Sequence, residues 1–123
     1  MTRVTAVRFT PNTVTMKIDG VPVYDRIEVS PYVPMVGHYF LHRPVVRVDA
    51  KITDLHQRQS IVLHEAVERH MRRGGLGPMQ AHRVAERQEG HWDIRHGVSI
   101  PRLTQNVEKV FRQNAREGVR RRR

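Results

Sequence analysis

Two segments of this chain carry side chains of the kinds that hold metal ions and move protons. His64, Glu65 and Glu68 follow the apolar run Ile61-Val62-Leu63, which reads as the start of a helix. At ~100° per residue, His64 and Glu68 stand one turn apart on one helix face. They aim an imidazole and a carboxylate at one point, with a second carboxylate, Glu65, beside them. His82, Glu86 and Glu89 form another stripe at i, i+4 and i+7. The break between the segments, Gly74-Gly75-Leu76-Gly77, is short and predicts an antiparallel helical hairpin. Such a hairpin sets His64 and Glu68 opposite His82 and Glu86.

This set suits a divalent first-row ion. Zinc binds imidazole nitrogen and carboxylate oxygen, and three protein ligands leave one position for water. The expected ligands are His64, Glu68 and His82. Glu86 is either a fourth ligand, which would close the site, or the partner that orients His82. Glu65 is the expected catalytic residue, a general base taking a proton from water. The alternative is two solvated helix faces, in which Glu65 and Arg69, Glu68 and Arg72, and His82 and Glu86 are ordinary i, i+4 pairs. The other histidines read as structural or solvent-facing, and Trp92 as an anchor for the end of the second helix.

The positioning elements are legible in outline. Val4 to Phe9 and Val14 to Ile18 alternate as strands around a turn at Thr10-Pro11-Asn12. Asp19-Gly20 marks another turn, and Pro22 in the strand that follows argues for an edge position. Val36 to Leu41 and Val45 to Val48 form a second hairpin. A helix from Leu55 to about Arg73, capped by Thr53 or Asp54, presents Val62, Leu63, Ala66, Val67 and Met71 inward, with Glu65 and Arg69 more outward. A second helix runs from Pro78 to about Glu89, and a third starts near Ser99-Ile100-Pro101. The expected fold class is α+β: N-terminal antiparallel hairpins forming a small sheet, then a helical hairpin and a C-terminal helix. Residues 1–113 are expected to form one domain, and residues 114–123 a disordered basic tail.

The bulk properties narrow the classes. The chain has 123 residues, enough for one modest core. It has no cysteine, which removes disulfides and thiolate ligands. No run approaches the ~18 apolar residues of a membrane span, and the first residues lack a signal-peptide core. A cytoplasmic protein with no membrane partner is expected. The net charge is +10, mostly arginine, including the run Arg120-Arg121-Arg122-Arg123. Arginine pairs bidentately with phosphate, so this tail is a candidate contact for nucleic acid or an acidic surface.

Taken together, four stretches carry a family resemblance. They are Val45-Val46-Arg47-Val48-Asp49, Val62-Leu63-His64-Glu65-Ala66-Val67-Glu68, Gly77, and Ala81-His82-Arg83-Val84-Ala85 with Glu86 or Glu89. The set resembles a group of small uncharacterised bacterial and phage proteins. Their pattern is a strand ending in Asp, an H-E-x-x-E helix, a glycine break, and an A-H-x-x-A helix followed by a glutamate. The order is also similar to minimal zincin metallopeptidases, and the likeness covers the middle half of the chain. It implies zinc-dependent hydrolysis of a peptide or protein substrate lying along the strand near Val45 to Asp49. The chain departs from zincins at Glu68, which stands where they carry a second histidine. The competing expectation is a non-enzymatic basic protein that binds nucleic acid or serves in assembly.

Overall fold

A computed structural model describes residues 2–33 and 35–121, with side chains described as far as residue 118. Five strands precede three helices: β1 (Val4–Thr10), β2 (Thr13–Ile18), β3 (Val21–Ser30), β4 (Gly37–Tyr39), β5 (Val45–Asp49), α1 (Leu55–Arg73), α2 (Pro78–Arg95) and α3 (Ile100–Arg121). The architecture is α+β. The strands form one mixed sheet in the order β1-β2-β3-β5-β4. All neighbours are antiparallel except β3 and β5, which run parallel from Arg26↔Val45 to Ser30↔Asp49.

Local chemistry explains the joints. Asp19 and Gly20 both have positive φ, 50° and 80°, as the two-residue turn that matches hairpin twist requires. Asp54 caps α1, its side chain accepting from the Gln57 N–H at 2.9 Å. Such a cap contributes ~1 kcal/mol. Gly75, at φ 103°, lets the chain leave α1, and Pro78 opens α2 where its missing N–H costs nothing. The sheet residues Val14, Met16, Ile27, Val46 and Val48 pack with Val62, Leu63, Ala66 and Val67 of α1 in one core. Ala81 and Ala85 of α2 are fully buried, and their small size lets α2 lie close against α1. The two His/Glu stripes are therefore held by a packed sheet–helix–helix stack.

Several expectations change. Val45–Asp49 is an interior strand, paired with β3 on one side and β4 on the other. Its backbone groups are used, so no substrate can lie along it. The open edge beside α1 is β4. Pro22 lies in a strand that β5 joins only from Arg26 onward, so its missing donor faces no partner strand. Arg69 does not point outward: it is buried, lies 3.0 Å from the Asp25 carboxylate, and donates to the Phe40 carbonyl. α2 continues six residues past Glu89, where Trp92 packs against Phe9, His56 and His96.

The break expected at residue 114 does not appear, because α3 runs on to Arg121. Asn114 is buried and donates to the Val33 carbonyl and to Asp49 Oδ2, each at 2.8 Å, while Lys51 donates to its Oδ1. This contact fixes α3 to the sheet. Arg120 and Arg121 lie in α3 without described side chains, and Arg122 and Arg123 lie outside the described residues. No described helix is long and apolar enough to cross a membrane.

Candidate metal centre

The helical hairpin brings His64, Glu68 and His82 together. His64 Nε2 lies 3.2 Å from His82 Nδ1 and 3.5 Å from Glu68 Oε1, and His82 Nδ1 lies 2.9 Å from the same oxygen. These three sides bracket the ~3.3 Å edge of a tetrahedron with arms of 2.0–2.1 Å, the length of zinc–nitrogen bonds.

The outer faces of the two imidazoles decide what the inner faces offer. His64 Nδ1 lies 3.0 Å from Glu89 Oε1, and His82 Nε2 lies 2.6 Å from Glu86 Oε1. An ionised carboxylate only accepts hydrogen bonds, so each ring places its N–H outward. In the neutral rings, His64 Nε2 and His82 Nδ1 therefore present lone pairs to each other and to Glu68. Three acceptors meeting at about 3 Å repel unless a cation, a proton or a metal ion, lies among them. A metal-bound histidine backed by a carboxylate is a recurrent arrangement that fixes the tautomer and strengthens the ligand. Here both histidines are backed in that way, so the residues fit a divalent ion.

Burial grades the site. His64 and Glu68 have side chains 14% and 16% exposed, whereas His82 is 51% and Glu86 60% exposed. The centre is thus enclosed on the α1 side and open on the α2 side. Burial works against a charged His64, but the Glu89 hydrogen bond and the nearby carboxylates outweigh it and raise its pKa. The field that favours a proton there also favours a divalent cation.

Glu65 lines the same cavity. Burial, helped by the like charges of Glu68 and Glu89, raises its pKa to about 7, against the opposing pull of His64. Among the described residues it forms no hydrogen bond. Gly37 of β4 makes room for it: a Cβ there would sit 2.7 Å from Ile61 Cγ2 and 3.0 Å from Glu65 Oε1. The cavity measures about 640 Å³ and runs between β4 and α1.

The expected ligands His64, Glu68 and His82 converge, and Glu65 stands beside them. Glu86 does not join the cluster; it holds the outer nitrogen of His82. Five contributors were not assigned from sequence. Glu89 backs His64, although its i+7 spacing from His82 was a usable signal. Ser60 donates to Glu89 Oε2 at 3.0 Å, and lies one turn before His64. Behind it, Asp93 hydrogen-bonds Ser60, and burial raises its pKa. Tyr39 hydrogen-bonds Glu68, and burial raises its pKa. Gly37 and Tyr39 come from a distant strand, which no local pattern announces.

No family model, curated protein or solved structure matches this chain.

Proposed function

We propose that this protein is a small metal-dependent hydrolase of peptidase type, zincin-like in the order of its elements, with an H-E-x-x-E helix completed by a histidine from the next helix. The observation that carries the reading is the meeting of His64 Nε2, His82 Nδ1 and Glu68 Oε1, each imidazole being backed by its own carboxylate. A zinc ion, or another divalent first-row metal, would supply Lewis acidity there, polarising a carbonyl and making water a better nucleophile.

The chain's own residues account for the remaining requirements. His64, Glu68 and His82 would hold the ion, with Glu89 and Glu86 fixing the rings. Glu65, with a pKa near neutrality, takes a proton from the attacking water and returns it to the leaving amine. β4 presents backbone to a substrate. Its hydrogen bonds to β5 involve the alternate residues Val36 and Phe40, so the register turns the N–H and C=O groups of Gly37 and Tyr39 toward the open edge. An extended peptide can pair there, over Glu65. The lining favours a peptide over a phosphodiester: among the described residues no lysine or arginine faces the cavity. A cytoplasmic setting, bacterial or phage-encoded, accompanies the reading.

Incubating the zinc-loaded protein with a denatured protein mixture, and mapping new peptide ends by mass spectrometry, tests the activity. New ends should form with the wild type and not with Glu65→Gln. Equal patterns from both proteins would refute the role of Glu65.

One observation supports a nucleic-acid reading beside it. Arg102, Lys109, Arg112 and Arg116 are all exposed and lie on one side of α3, away from the buried Leu103, Val110 and Asn114. They span ~21 Å at 1.5 Å per residue. Duplex DNA contact by this face should weaken linearly with the logarithm of salt concentration, with a slope of about −0.9 per phosphate engaged.

A further inference from the structure

The cleft continues beyond the metal centre, and its far end has a different character. Ile61 lies one turn before His64 and Glu65 on α1. Met35, from the segment before β4, and Val107 of α3 line the cavity with it. A second, smaller hollow of about 260 Å³ shares Met35 and Val107 and is lined also by Phe111, Glu108 and Arg112. Met35 is 68% and Phe111 45% exposed. Both sit on segments that contribute buried side chains nearby, Val36 and Val110.

We infer that this end of the cleft is a side-chain subsite, taking a large apolar residue of an extended peptide bound along β4. The inference rests on the hydrolase reading for the identity of the substrate, and adds which sequences are chosen. Three observations select this occupant. The hollow shares two wall residues, Met35 and Val107, with the cavity lined by Glu65 and the ligand cluster. The neighbouring edge, at Gly37 and Tyr39, offers main-chain pairing rather than a side-chain surface. Three of the five residues that line the hollow, Met35, Val107 and Phe111, are large and apolar. One helical turn rises ~5.4 Å and a strand residue ~3.4 Å, so the apolar residue falls one or two positions from the bond that is cut.

The test uses fluorescein-labelled octapeptides of glycine and serine with one central leucine, one central aspartate, or neither. Binding to zinc-loaded Glu65→Gln protein is read by fluorescence anisotropy, and cleavage by the wild type is read by mass spectrometry. The leucine peptide should bind roughly tenfold or more tighter than the others, the scale on which apolar pockets discriminate. Adding Met35→Glu and Phe111→Glu together should abolish that preference while zinc affinity stays within about twofold. Met35→Thr with Phe111→Gln gives a milder pair should the charges disturb folding. Equal binding of all three peptides, or a leucine preference that survives both pairs, overturns the subsite. So does a dimer that the substitutions dissociate, with no peptide bound, since the face would then belong to a second copy of the chain. Leucine-selective binding without cleavage supports the subsite and removes the hydrolase reading.

Discussion

Replacing Glu65 by glutamine separates what this carboxylate does for catalysis from what it does to stability. Burial raises its pKa from 4.5 to about 7. At ~1.36 kcal/mol per pH unit, that shift corresponds to roughly 3 kcal/mol. Partial exposure to the cavity lowers the figure, so a range of about 1–3 kcal/mol is expected. The sign follows from linkage. The folded chain binds this proton more tightly than the unfolded chain, so the contribution is intact below pH 4.5 and is lost as pH rises through about 7. Glutamine has no such loss. Metal-free Glu65→Gln protein should match the wild type in urea unfolding near pH 4, and exceed it by about 1–3 kcal/mol at pH 8. A difference that does not change with pH, or a variant less stable at pH 8, would refute the reasoning. With zinc present, the same variant should bind metal and cleave nothing. A side chain that costs stability at neutral pH has its justification in chemistry rather than in the fold.

Three further substitutions probe the surroundings. Glu89→Gln should weaken zinc affinity by roughly 10- to 100-fold, since the outer partner of His64 can then turn a donor toward the ring; isothermal titration calorimetry reads the change. Gly37→Ala should cost about 1–3 kcal/mol in thermal or urea unfolding and reduce activity, because the new methyl meets Ile61 and Glu65. Asn114→Ala should cost about 1–3 kcal/mol, because it strips a hydrogen bond from both Asp49 and the Val33 carbonyl inside the protein. Amide hydrogen exchange should then speed up along α3 before the rest of the chain.

What the sequence made legible follows physical range. The His64–Glu68 pair on α1 was visible because i, i+4 geometry is local, and its meeting with His82 because a four-residue glycine break permits only a tight hairpin. The Asp19-Gly20 turn and the Asp54 cap were readable for the same reason. The parallel pairing of β3 with β5 was not, since it joins strands across the intervening β4 and leaves no periodic trace. That pairing moved the open edge from Val45–Asp49 to Gly37–Tyr39, and with it the expected path of a substrate. Arg69 was misread because its burial depends on Asp25, which lies on β3. The end of α3 was misjudged because Asn114, a polar residue in an arginine-rich stretch, is buried by Asp49 and Val33. Glu89 lay within the stripe, yet only the observed packing of the hairpin shows which imidazole it backs.

The most direct measurement is native mass spectrometry of the chelator-treated protein titrated with zinc, compared across the wild type, His64→Ala, His82→Ala and Glu68→Ala. One zinc ion per chain is expected for the wild type at micromolar metal, with loss or severe weakening in each variant while the folded charge-state distribution persists. No zinc bound by the wild type, or binding that all three variants retain, would contradict the metal centre and the hydrolase reading built on it.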